Sequence, residues 1–493
     1  MFSKKIFNGN ERTALIKKNI AGSILIKGWN CIVQLLLVPI TLNCLNQYEY
    51  GIWLTINSIL LWIDQFDIGL GNGLRNKLAE ALAKGDKEKA RRLVSTTFMM
   101  LIIIVIPIVL ILRIIIHNID LHSLLNINSA TVPNLEGIFV ISIVFVGITF
   151  IFKFIGNVYL GLQLPAINNL LVVSGQTLAL ICIFVLSLIY KLTLFDVACI
   201  YTLSPLMVYL ISYPLTFCRY KYLRPSFRLF DKTELKELFS LGILFFIVQI
   251  SGLIIFASSN VLITRILSPA EVTPYQISYK YFSLTIMVFT IITAPLWSAT
   301  TDAYTKNDWK WINNMMNKMN KIMLAFLVLL ILMLASSEFI YKIWIGGKVE
   351  IGYLLSALMA IYMCVLIYST CYSNILFGIG KIRLITIITA LEAIIYIPLA
   401  IFLGNRFGLY GIISALISVN LICTICNKIQ FEKLAKKQKL LFSTIRDQDE
   451  RGKLVDVILP VTELDRANQI FERLLSQVSS QEKDVSDLQK APQ

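Results

Sequence analysis

The stretch FDIGLGNGLRNKLAEALAKGDKEKARRL, residues 66–93, sets Gly69, Gly71 and Gly73 at alternate positions between an apolar run and a basic, helix-prone run. Backbone N–H groups at a helix start bind anions, and glycine lets a phosphate approach closely. The spacing does not fit that use. A P-loop needs Gly-Lys-Ser/Thr after four intervening residues, and a dinucleotide fingerprint needs G-x-G-x-x-G after a strand; here G-x-G-x-G runs into Leu74 and Arg75. A second set of chemistry-bearing residues consists of single charges within long apolar runs: Lys27, Lys153, Arg265 and Lys280, against the acids Asp64 and Glu392. A charge in hydrocarbon is costly unless it faces water or a partner, and a surplus of embedded cations favours an anionic ligand over a cationic one. Lys153 and Arg265 stand close enough to span ends to snorkel. Lys27 and Lys280 lie deeper, which points them to a cavity. Glu392 could neutralise one of these lysines, line a proton or sodium route, or form a structural pair.

Other reactive residue types give weaker patterns. Cys423 and Cys426 form C-x-x-C, but at i and i+3 of an apolar helix they fill packing space. His117 and His122 flank Asp120 on a short polar loop, two ligands without a third, which reads as solvated side chains. Nine cysteines in no framework spacing argue against a disulfide scaffold.

The elements that carry these residues follow from composition. Of 493 residues, 57% are hydrophobic and 15% charged, with a mean hydropathy of +0.72. Apolar runs of roughly 20 residues, enough to cross a bilayer, recur along the chain. An all-α polytopic membrane protein follows, since a backbone in hydrocarbon must satisfy its own hydrogen bonds, and the short alternating strands of a barrel are missing. Twelve spans are predicted, at 20–42, 49–66, 93–116, 135–156, 166–190, 196–217, 238–262, 272–297, 321–344, 351–377, 382–403 and 409–428. Segments on the N-terminal side of the membrane hold 25 Lys and Arg, those on the other side 6. Both termini are then expected in the cytoplasm. The formal charge of +15 is mostly this topology signal, not a nucleic-acid surface. Met1 to Asn19 is charged and long, so no cleavable signal is expected.

The chain also repeats itself. At an offset of 222 residues Leu45 meets Leu267, Glu49 meets Glu271, Glu80 meets Asp302, Lys84 meets Lys306 and Asp86 meets Asp308. Copies separated by six spans cross in the same direction, an architecture of transporters with an axis along the membrane normal. The expected division is a six-helix bundle at 1–218, a cytoplasmic linker at 219–237, a second bundle at 238–430 and a cytoplasmic tail at 431–493. Asp67 to Gly73 is expected to end the second span and turn the chain, each glycine costing about 1 kcal/mol in a helix interior. A new helix from Leu74 to Leu93 is expected to lie at the membrane interface.

EYGIW at 49–53, the glycine stretch at 66–86 and ARRLVSTTF at 90–98 resemble the polysaccharide-transporter branch of the multidrug/oligosaccharidyl-lipid/polysaccharide flippase superfamily, bacterial O-antigen flippases in particular. The resemblance extends over roughly residues 1–430. It implies two six-helix bundles in a V around a central cavity, as in multidrug and toxin extrusion transporters. It implies movement of undecaprenyl-diphosphate-linked oligosaccharide from the cytoplasmic to the periplasmic leaflet of the inner membrane. Substrate-binding roles would fall to Lys27, Lys153, Arg265 and Lys280, with Arg75 meeting diphosphate at the mouth. Glu392 and Asp64 would serve as coupling or charge-pair residues, and Asp67, Gly69, Gly71 and Gly73 as a hinge. Gln34, Asn57, Gln176, Gln249 and Asn260 could bond sugar hydroxyls, packing being the simpler use. The second copy carries Thr293 to Trp297 where the first has glycines, so the motif's role stays with residues 67–75.

No cofactor is expected beyond a coupling proton or sodium ion, and no nucleic acid; other polysaccharide assembly proteins are candidate partners. The chain is read as a transporter, not an enzyme. A sugar polymerase or ligase would need a reaction site, and the longest external connection, 118–134, has Asp120 as its one acid. An ion-coupled drug or cation antiporter of the same fold is the alternative, although its pathway should carry acids. Beyond Leu441 the chain turns mildly acidic, and 463–480 can form a capped amphipathic helix.

Overall fold

The computed structural model describes residues 9–63, 70–239, 243–293 and 296–449, and these contain helices and no strand. In chain order the helices are α1 (Gly9–Cys44), α2 (Gln47–Ile63), α3 (Leu70–Ala83), α4 (Lys87–Asn118), α5 (Leu121–Leu125), α6 (Leu135–Gly161), α7 (Pro165–Ser187) and α8 (Leu194–Arg219). There follow α9 (Lys232–Phe239), α10 (Ile243–Ile266), α11 (Pro269–Thr293), α12 (Leu296–Thr305), α13 (Trp309–Ile345), α14 (Tyr353–Gly378) and α15 (Ile382–Asp449). Among the described residues nine helices are long and apolar enough to cross a membrane. The other predicted spans fall on α2, which has 17 residues, on the more polar α11, and on the second half of α15. α15 is interrupted at Gly408, whose φ of 60° and ψ of −139° suit glycine alone. Gly411 then lies against the Leu403 carbonyl and Gly404 against Ile412, so the two halves fold back on each other.

Local chemistry sets the helix ends. Asp86, Asp120, Asn134 and Asp308 accept N-terminal N–H groups of α4, α5, α6 and α13, and Thr193 with Asp196 closes a capping box on α8. Much of the apolar surface faces outward: Ile103, Ile106, Leu110, Ile111 and Ile114 on α4 are exposed, a belt that only lipid satisfies.

Packing sorts the helices into two groups. α6, α7 and α8 pack on one another, with α1 on α7 and α4 on α6; α14 packs on α11, α12, α13 and α15, and α10 on α15; α2, on the first side by chain order and the repeat, packs chiefly on α10 and α11 and joins the two. The 222-residue repeat holds at the level of helix ends. Cys44 and Ile266 end α1 and α10; Gln47 and Pro269 start α2 and α11; Ala83 and Thr305 end α3 and α12; Lys87 and Trp309 start α4 and α13. The turns match as well. Asp86 N–H donates to Ala81 O at 3.0 Å and Asp308 N–H to Ala303 O at 2.8 Å, while Gly85 and Asn307 both take positive φ.

The glycine stretch folds otherwise than expected. Gly71 and Gly73 are buried inside α3, which begins at Leu70, so they do not stop a helix; Asp64, Asp67 and Gly69 lie outside the described residues. Nor does one helix run from Leu74 to Leu93, because Gly85, at φ +76°, separates α3 from α4. The apolar face of α3 does not rest on lipid. Leu70, Leu74 and Leu78 are fully buried, with Leu78 packed against Gly161 of α6, because protein rather than bilayer covers that face. On its polar side Lys84 and Lys77 beside Glu80 hold that carboxyl down at about 2 from an ordinary 4.5.

The segment 219–239 is tied to the first group. Buried Glu234 of α9 lies 3.7 Å from both Lys89 and Arg92, and the N–H groups of Ser226 and Asp231 donate to Ser95 and Thr96. α15 continues past residue 431 to Asp449, so the expected tail begins as helix; the helix expected at 463–480 lies outside the described residues.

Candidate functional site

A cavity of about 580 Å³ opens among α1, α2, α6, α7 and α8. Helix periodicity brings Gln34 of α1, Asn57 of α2, Thr149 and Lys153 of α6, Gln176 of α7 and Tyr201, Thr202 and Tyr209 of α8 to its wall. Lys280 reaches in from α11. Two lysines and no carboxylate line it among the described residues. The Lys280 ammonium lies 3.4 Å from the Tyr50 hydroxyl, and among the described residues no carboxylate comes within ion-pair distance of it. Tyr201 is fixed by a 2.9 Å hydrogen bond between its hydroxyl and that of Thr41, and by the Trp53 ring at 5.0 Å. Pro205, which lacks the N–H that would bond the Tyr201 carbonyl, also lines the wall. The Gln176 carbonyl oxygen is buried without a partner. Fixed cations with amide and hydroxyl groups in a low-dielectric recess can hold an anion bearing hydroxyls.

A hydrogen-bonded seam joins the two helix groups beside the cavity. Along it the Gln47 amide donates to Ala270 O at 3.0 Å, Thr273 donates to Gln47 O at 2.7 Å, and Thr55 and Thr264 share a 2.5 Å hydroxyl contact. Asn260 donates to Ser58 at 2.5 Å and Leu54 O at 3.2 Å, and accepts from Gln276 at 2.7 Å. Trp344 donates to Leu35 O at 2.9 Å, and Lys348 bonds Asn43. Gly51 stands against the Pro269 carbonyl, where a Cβ would collide.

The sequence-predicted residues divide accordingly. Lys153 and Lys280 come together in the cavity, joined by Gln34, Asn57 and Gln176, for which packing was the simpler expectation. Asn260 is a packing residue, as expected. Lys27, Arg75 and Arg265 are exposed on α1, α3 and the last turn of α10 and do not line the cavity; Arg265, near a helix end, can reach water instead. Glu392 pairs with no lysine among the described residues. It is buried on α15 and accepts the Cys423 N–H at 2.9 Å. Cys423 takes part in packing contacts with Asn427, while His117 pairs with Glu136 and the His122 ring bonds Val132 O. Tyr50, Trp53, Tyr201 and Tyr209 were not singled out from the sequence, since aromatic residues recur on every span and the rotation of each helix decides which of them face inward.

Two helix groups related by a parallel repeat, one holding a polar cavity that Lys280 of the other enters, form an architecture of membrane transporters. A solved structure titled as the inward-facing conformation of a multidrug resistance MATE family transporter of the MOP superfamily superposes with a TM-score of 0.71 at 16% identity, over 85% of this chain and 99% of that one. The outward-facing conformation of such a transporter gives 0.59 at 17% identity, over 86% and 96%. The chain belongs to the family described as "Polysaccharide biosynthesis protein", which it matches over residues 16–299. This family agrees with the polysaccharide-transporter branch that the sequence resembles. Curated relatives are a protein of Salmonella typhi named "Putative O-antigen transporter", 22% identical over 78% of this chain and 88% of that protein, and one of Salmonella typhimurium with the same name, 23% identical over 78% and 89%.

Proposed function

We propose that the chain is a flippase that carries undecaprenyl-diphosphate-linked oligosaccharide repeat units from the cytoplasmic to the periplasmic leaflet of a bacterial inner membrane. The observation that carries this reading is the cavity, which presents Lys153 and Lys280 beside Gln34, Asn57 and Gln176 and, among the described residues, no acid. A diphosphate needs cations to cross hydrocarbon, and sugar hydroxyls need amides and hydroxyls. The names of the Salmonella relatives support the same substrate class. A drug or cation antiporter, the activity suggested by the names of the solved neighbours, is less well served by a cavity that shows two lysines and, among the described residues, no acid.

In this reading the units 1–218 and 238–430 rock against each other, the segment 219–237 rides on the first, and both termini are cytoplasmic. The seam at the α1–α2 and α10–α11 turns is then the periplasmic gate, shut here, and the better superposition on an inward-facing neighbour agrees with that state. Arg75, exposed on α3, would meet diphosphate near the cytoplasmic mouth, and Lys27 and Arg265 would act at the rims. Glu392 is the candidate for ion coupling. The test is reconstitution with a fluorescent prenyl-diphosphate oligosaccharide, scoring the fraction of label shielded from an external quencher. Equilibration of label between leaflets is expected with the protein and not with empty vesicles; a quenched fraction equal to that of empty vesicles overturns the proposal.

A further inference from the structure

The cavity belongs unequally to the two helix groups. Among the described residues, every lining residue comes from α1, α2, α6, α7 or α8 except Lys280, which stands on α11. α11 reaches the first group through the seam: Thr273 bonds Gln47 O, Pro269 abuts Gly51, and Lys280 itself touches Tyr50 of α2. Lys280 lies two turns along α11 from Thr273, on a helix whose position relative to α2 depends on those contacts. The seam carries buried hydrogen-bonding groups, Thr55, Thr264, Ser58 and Asn260 being almost wholly buried, set among apolar residues such as Ile52, Ile56, Ile263 and Val272 of one shared core. Hydrogen bonds of this kind hold while dry, and water replaces them once the surfaces separate, so the seam can part without stranding buried polar groups.

We infer that Lys280 is the release switch of this site: with the seam shut its ammonium completes an anion site built by the other group, and parting of the seam withdraws it. This deepens the flippase reading and rests on it. Outward release requires that the two states bind ligand differently, since equal affinity shifts no equilibrium. A cation carried by the opposite group supplies that difference. Lys153, in contrast, moves with the amide and hydroxyl residues and stays with the ligand in both states. Coulomb attraction to a diphosphate falls as distance and water content rise together, so removing one of two cations lowers affinity by at least about tenfold.

The test holds the seam in each state and measures binding of farnesyl diphosphate to the purified full-length protein in nanodiscs. Thr55→Cys with Thr264→Cys, whose hydroxyl oxygens lie 2.5 Å apart, suits a disulfide that locks the seam. Thr55→Asp with Thr264→Asp parts it by charge repulsion, and spin labels at residues 46 and 268 verify the parting. The locked protein is expected to bind at least tenfold more tightly than the parted one. Lys280→Gln is expected to bring that ratio to about one, and Lys280→Arg to preserve it, which separates charge from a folding defect. A ratio that persists in Lys280→Gln, or no ratio in the protein with Lys280, overturns the switch while leaving the anion cavity standing. If farnesyl diphosphate binds neither state, the anion cavity falls and the switch with it.

Discussion

Asn260→Ala tests the seam at its most connected residue. Asn260 is 2% exposed and joins α10 to α2 and α11 by three hydrogen bonds. After truncation the Leu54 carbonyl keeps the Ser58 hydroxyl as a donor at 2.9 Å, but the buried Gln276 amide loses its acceptor. One buried unpaired amide costs about 1–3 kcal/mol. That penalty applies only while the seam is dry, because water satisfies Gln276 once it parts. The population of the parted state should therefore rise between about fivefold and 150-fold. Pulsed EPR between spin labels on Asn46→Cys and Ser268→Cys, in a background with the exposed Cys218 replaced by Ser, reads the two populations directly. A new long-distance component is expected in the variant. A folded Asn260→Ala protein with the wild-type distance distribution would refute the reasoning that these bonds hold the seam shut.

Three further outcomes are expected. Glu234→Gln should release α9 from Lys89 and Arg92, raising amide exchange across 224–239 by roughly tenfold or more, since a buried carboxylate between two cations is costly to lose; unchanged protection contradicts the clamp. Gly408→Ala should lower the melting temperature by forcing a side chain to φ 60°, at a cost of about 1–3 kcal/mol, with an unchanged Tm as the contrary result. Glu80, with its carboxyl at about 2 in the folded protein against 4.5, contributes above pH 4.5 and loses that contribution as pH falls toward 2. Glu80→Gln should accordingly flatten the acid-dependent loosening of residues 80–86 seen by hydrogen exchange; an identical pH profile counts against it.

The parts of this fold legible in the sequence were those set by local chemistry. Apolar runs marked the spans, and the pairs Asp86/Asp308 and Lys84/Lys306 marked a repeat that the helix ends reproduce at the same offset. Position along a predicted span singled out Lys280, which lines the cavity. Rotation about a helix axis was not legible. Asn57 and Asn260 are the same residue type in similar apolar settings, yet one lines the cavity and the other binds the seam, and only tertiary packing decides between them. The same holds for Lys27: its position along α1 was plain but the exposed face it occupies was not. The glycines misled through propensity, since a cost of about 1 kcal/mol each is outweighed where close packing buries them inside α3.

The most direct measurement is surface polysaccharide in a bacterial host that lacks its own flippase and carries the cognate sugar pathway, comparing the native chain with Lys153→Ala and Lys280→Ala at matched membrane abundance. The native chain should restore polymer, and each substitution should reduce it at least tenfold. Failure of the native chain would contradict the flippase reading, and full restoration by both variants would contradict the cationic cavity as its site.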